Sequence, residues 1–116
     1  MVLQDIVNSI KNTLVNSDDL RRKEYRGNSN VYAGHCYVAS EAIYHLAKAA
    51  GISLNPMFIS HQNTPHWYLL DSGTVLDPTK EQFSETVDYS KGRGKGFLTK
   101  QPSKRAAELI RRSQVT

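Results

Sequence analysis

The sequence predicts an α+β fold in which the helix beginning at Cys36 packs on a small antiparallel sheet, flanked by helices near both ends of the chain. Three observations carry this expectation. Apolar residues recur at helical spacing near the start and again after Cys36. Apolar runs joined by Asp71-Ser72-Gly73 read as strands meeting at a tight turn, and a serine-led amphipathic stretch follows near the end.

Taken in order, Leu3, Ile6, Val7, Ile10 and Leu14 form one apolar stripe, with Asp5 in the favourable first turn, so residues 3 to about 15 are predicted helical. Residues 16–30 mix Ser-Asp-Asp, a basic run and Gly27-Asn28-Ser29-Asn30, and read as a loop with one helical turn near Asp18 to Glu24. From Cys36 to Ala50 alanines favour helix. Val38, Ala42, Ile43, Leu46 and Ala50 trace its apolar face, and Gly51 stops it as a left-handed cap. Leu54 to Ser60, His66 to Leu70 and Thr74 to Leu76 read as strands, the last ended by Pro78. Thr79 is expected to cap a short acidic turn containing Glu81 and Gln82. Ser90 to Gly96, with three glycines, reads as loop, and Ser103 caps a final helix to about Arg112 with Ala106, Leu109 and Ile110 facing inward.

The 116 residues suffice for one domain, 1–116, with a core region at 32–79 and a basic segment at 91–112. Composition is ordinary for a globular protein, 39% hydrophobic and 22% charged, and no run approaches the ~18 apolar residues of a membrane span. A single cysteine excludes an internal disulfide framework. The first residues show neither a basic leader nor an apolar signal core, so a reducing, cytoplasmic setting is expected. The net charge of +4 is concentrated late, where Lys91, Arg93, Lys95, Lys100, Lys104, Arg105, Arg111 and Arg112 face only Glu108. This segment is either a solvated face or a surface for nucleic acid or an acidic protein, with Lys91, Arg93, Lys95, Lys104 and Arg105 as the contacts.

The chemistry converges on three residues. Cys36 opens the best helix, where the dipole and unpaired backbone N–H groups favour a thiolate. His66 begins one strand and Asp77 ends the next. A histidine in reach can take the thiol proton, and a carboxylate on its other nitrogen fixes the tautomer and stabilises the imidazolium. Strand alternation makes this testable: direct opposition of His66 and Asp77 requires a two- or four-residue loop such as Asp71-Ser72 or Leu70 to Gly73, or a compensating bulge.

Gly34-His35-Cys36-Tyr37-Val38-Ala39 resembles the turn opening the nucleophile helix of transglutaminase-like members of the papain-like superfamily. His66 to Leu70, the turn and Val75-Leu76-Asp77-Pro78-Thr79 are similar to that family's histidine strand, turn and strand ending in Asp-Pro-Thr. The resemblance covers roughly residues 32 to 79. It implies Cys36 as nucleophile, His66 as general base and acid, Asp77 as orienting carboxylate, and a thioester intermediate resolved by water or an amine. The implied activity is that of a hydrolase or acyltransferase on an amide, isopeptide or thioester, needing no cofactor and no metal.

The Cys36 amide is the expected oxyanion donor, with Asn28, Asn30, Gln62 or Tyr32 as side-chain candidates. Trp67, Arg93 and Lys95 are the expected substrate contacts, Trp67 either shielding the His-Asp pair or filling the sheet core. His35 flanks the nucleophile, and His45 falls on the exposed side of its helix. Two alternatives stand beside this reading. Cys36, His61, His66 and Asp77 could converge on zinc, although their spacing matches no compact ligand pair. A non-enzymatic module could bind nucleic acid or an acidic protein through residues 91–96 and the basic final helix.

Overall fold

The computed structural model describes residues 3–21, 23–27, 35–61, 64–80, 83, 86–97 and 99–114. Among them the helices are α1 (Leu3–Leu14), α2 (Cys36–Ala49) and α3 (Lys104–Ser113), and the strands are β1 (Asn55–His61), β2 (Thr64–Asp71), β3 (Thr74–Leu76) and β4 (Arg93–Gly94). Short 3₁₀ turns occupy Asp18–Leu20, Lys23–Tyr25 and Tyr89–Lys91. The fold is α+β, with one antiparallel sheet in the order β3-β2-β1-β4. No helix among the described residues is long and apolar enough to cross a membrane.

The stripe anticipated on α1 is buried at Ile6, Val7, Ile10 and Leu14, and Leu3 packs against the same cluster. These side chains meet Val38, Ala39, Ala42, Ile43 and Ala47 of α2, Leu109 of α3, and Leu69 of β2. Each fully buried Leu or Ile contributes on the order of 1.5–3 kcal/mol through removal from water. Strand alternation sends Trp67 and Leu69 to the helical side of the sheet. Ile59 and Tyr68 go to the other side, where Val87, Met57, Leu70, Phe83 and Tyr89 complete a second cluster.

Two anticipated chain reversals have the backbone their residues demand. Gly51 takes φ +83° after α2. Ser72 and Gly73, both at positive φ (49° and 86°), make a two-residue hairpin turn of the primed type between Asp71 and Thr74.

Other expectations are corrected. Ser90 to Gly96 is not simply loop: residues 89–91 form a 3₁₀ turn, and Arg93-Gly94 joins the sheet opposite Phe58 and Met57. A two-residue edge strand is too short to leave a periodic signal. β2 starts earlier than expected, at Thr64, because Pro65 is paired with Ser60 at the end of the ladder. Ala50 is exposed rather than part of the apolar face, since the helix has already ended at Ala49. His45 is only partly exposed, and its Nε2 is buried. The turn expected from Glu81 and Gln82 lies outside the described residues.

Glu41 joins two helices. Fully buried on α2, its carboxylate accepts from Ser103 N–H (2.8 Å) and Ser103 Oγ–H (2.7 Å), while Ser103 Oγ accepts from Ala106 N–H and so caps α3.

Candidate active site

Cys36 is the first residue of α2 and is partly exposed. The residue before it, His35, occupies the N-cap without supplying a side-chain cap, and the first helical bond runs from Ala39 N–H to His35 C=O (2.8 Å). The first-turn amides, which lack intrahelical acceptors, therefore lie beside the thiol. His35 itself is fully buried, with no hydrogen-bond partner on either ring nitrogen. Burial first, then the charge of Arg21, pushes its pKa down to about 4, so it is neutral at physiological pH.

His66 is fully buried on β2, and its Nε2 lies 2.6 Å from Asp77 Oδ2. A carboxylate only accepts, so the proton of this bond sits on Nε2. The Cys36 side chain also interacts with this ring. Burial works to lower the His66 pKa, but the bonds to Asp77 and Cys36 and the charges of both outweigh it and lift the value to about 9. The ring thus interacts with both a carboxylate and the Cys36 side chain.

The register explains how Asp77 reaches the ring. The two-residue turn pairs Leu69 with Leu76 and Leu70 with Val75. Extending the ladder one step sets Asp77 opposite Tyr68, diagonal to His66 and on its face. The loop is even-numbered, but it is Ser72-Gly73 instead of Asp71-Ser72 or Leu70 to Gly73, so His66 and Asp77 are diagonal and not directly opposed.

Asp77 is itself held. Its side chain is 1% exposed, Oδ1 accepts from Thr79 N–H (3.2 Å), and Oδ2 accepts from both His66 Nε2–H and the Tyr89 hydroxyl (2.6 Å). The Thr79 bond is the local loop an Asp makes two residues ahead, so Asp-Pro-Thr has a direct physical use here. Tyr89 escaped sequence reasoning, because it lies twelve residues beyond Asp77 in a segment whose path no periodicity reveals. The chain then passes close over Tyr68 at Gly92, where a Cβ would stand only 1.7 Å from Tyr68 Oη.

Trp67 is 8% exposed and sits on the opposite face of β2 from His66, edge-on to Tyr37 (5.0 Å) and Phe58 (5.5 Å) and stacked with Phe97 (5.6 Å). It is thus a sheet-core aromatic in contact with the neighbour of Cys36. Arg93 and Lys95 gather on this cluster: Arg93 lies 5.4 Å from the Phe58 ring centre, and Lys95 Nζ lies 4.6 Å from Phe58 and 5.6 Å from Trp67.

Other basic residues are spent within the fold. Arg112 binds Asp19 through two bonds (2.9 and 2.7 Å) and Glu108 through a third (2.9 Å), Arg111 also binds Glu108, and Arg105 donates to Leu20 C=O (3.2 Å). Lys104 is exposed at the start of α3. The oxyanion candidates Asn28, Asn30, Tyr32 and Gln62 lie outside the described residues. No three His, Cys, Asp or Glu side chains among the described residues are placed to hold a metal ion, so Cys36, His61, His66 and Asp77 do not form the zinc group considered above.

Comparison of the chain with protein-family models, with curated proteins and with solved structures finds no match to any of them.

Proposed function

We propose that this protein is a thiol hydrolase or acyltransferase of the transglutaminase-like, papain-like type, acting on an amide, isopeptide or thioester through Cys36, His66 and Asp77. The observation that carries the reading is the buried His66 ring, bonded at Nε2 to Asp77 (2.6 Å) and interacting with Cys36. Acid-base work at sulfur uses that order of groups. A free thiol used in this way suits a reducing, cytoplasmic compartment.

The steps follow from the atoms. His66 takes the thiol proton, and the thiolate attacks the substrate carbonyl carbon, forming an S–C bond while the oxyanion turns toward the first-turn amides of α2. As the C–N or C–S bond breaks, the His66 imidazolium gives its proton to the leaving amine or thiol, and Asp77 keeps the ring aligned throughout. Water or an amine then attacks the thioester, with His66 taking its proton, and the released thiolate regains the pairing.

The deciding experiment compares alkylation of Cys36 by iodoacetamide across pH in the native protein, the unfolded chain, His66→Ala and Asp77→Asn. The native thiol is expected to react at neutral pH at least about tenfold faster than in the unfolded chain, and His66→Ala to remove most of that advantage. A native profile that coincides with the unfolded one, or is untouched by His66→Ala, overturns the proposal.

A further inference from the structure

Resting on the thiol-enzyme reading above, we infer that the β1–β4 edge beside Cys36 is a subsite for an acidic stretch of a peptide substrate. Three exposed cations, Lys91, Arg93 and Lys95, line this edge within five residues of chain. Lys91 and Arg93, with Phe58, Ile59 and Ser60, wall a hollow of about 260 Å³. Arg93 and Lys95 lie over the Phe58 ring, which holds their long side chains against the surface instead of leaving them to sweep through solvent. Asp88, the carboxylate beside Lys91, already accepts at Oδ1 from Ser90 N–H (3.1 Å) and Ser90 Oγ–H (2.5 Å).

The cations reach toward the nucleophile along the Trp67 face of the sheet. Phe58 stands between Trp67 on one strand and Arg93 on the other, while Ile59 pairs with His66 on the other face. Two strand spacings separate Arg93 from the His66–Trp67 row, about 10 Å at ~4.8 Å each, which an extended peptide spans in about three residues. Tyr37, next to Cys36, touches the Trp67 ring on which Lys95 also rests. The segment carrying the cations is tied to the catalytic carboxylate through Tyr89, whose hydroxyl donates to Asp77 Oδ2. An acyl group held at Cys36 thus brings a carboxylate about three residues away over Arg93 and Lys95. An acidic peptide is favoured over nucleic acid because the hollow is small and local, while the cations of the last helical turn, which a long polyanion would also use, are already paired with Asp19 and Glu108.

The test uses the whole protein and short peptides bearing a chloroacetamide, with Glu, Gln or Lys placed about three residues from the electrophile, and reads the rate of Cys36 labelling. The Glu peptide is expected to label about tenfold faster than the Gln peptide at low salt, with the advantage shrinking at ~0.5 M salt and the Lys peptide slowest. R93Q/K95Q should erase the ranking, and K48Q, which removes an exposed cation near the far end of α2, should keep it. Equal labelling by the three peptides overturns the subsite while fast iodoacetamide alkylation still upholds the thiol reading. A thiol inert to every reagent overturns both. A single-stranded oligonucleotide that blocks labelling more strongly than an unreactive Glu peptide assigns the edge to nucleic acid and overturns the acidic-peptide occupant.

Discussion

At the scale of single residues, the behaviour of the site reduces to which protons crowd Asp77 Oδ2. That oxygen accepts from His66 Nε2–H and from Tyr89 O–H, each at 2.6 Å, so the two donors compete for one centre of charge. Asp77→Asn removes both the charge and the acceptor that hold His66 near 9, and burial then drives the ring toward its neutral form. The ring-nitrogen resonances of His66 in a pH titration should accordingly shift midpoint well below that of the wild type, with alkylation of Cys36 at neutral pH slowed about tenfold. Tyr89→Phe acts in the opposite sense: with its competitor gone, Oδ2 binds the imidazolium more strongly and the His66 midpoint rises, while stability falls by about 1 kcal/mol for the lost hydrogen bond. A residue that merely filled space would leave the midpoint where it was, so an unmoved His66 titration in Tyr89→Phe refutes its positioning role.

At the scale of elements, the helices are joined by a polar contact as well as by their apolar stripes. Glu41 on α2 reaches the N-cap of α3, and Glu41→Ala leaves the partly buried start of α3 without an acceptor for Ser103 N–H. A loss of about 2–3 kcal/mol in urea unfolding is expected, against less than about 1 kcal/mol for a surface change such as Lys48→Ala; equal effects would show that the contact contributes nothing. The same elements show what a sequence can and cannot declare. Helix α1 announced itself by its apolar period, α2 by its alanines and the Gly51 stop, and α3 by its Ser103 cap and apolar face, and Ser72-Gly73 set a register that brought His66 and Asp77 to one face. Strand β4 and the Tyr89 bond gave no such signal. Two residues make no period, and a hydroxyl that meets a carboxylate through tertiary packing leaves no local pattern. Glu41 was hidden for a similar reason, since an acid inside an otherwise favourable helix reads as solvent-facing until its partner is known.

At the scale of the whole molecule, two fully buried histidines on adjoining elements shift in opposite directions and together shape stability against pH. His66 has its pKa raised from 6.5 to about 9 in the fold, so its contribution is complete below about 6.5, where the unfolded chain also binds the proton, and is lost as pH rises through 9. His35 has its pKa lowered from 6.5 to about 4. Between those values the unfolded chain binds a proton that the fold refuses, so stability falls as pH drops from 6.5 toward 4 and levels off below. Each limb amounts to about 3 kcal/mol at ~1.4 kcal/mol per unit, and the two meet near the unperturbed histidine value. Urea midpoints measured from acid to alkaline pH should therefore trace a dome with its top at about pH 6.5. His66→Gln should flatten the alkaline side, and His35→Gln the acid side alone, because the His35 ring carries no hydrogen bond whose loss would tilt the other limb. A dome that keeps both sides in both variants would place its origin in the carboxylates and lysines of the surface, and would remove the buried histidines from the account of why this fold is stable near neutrality.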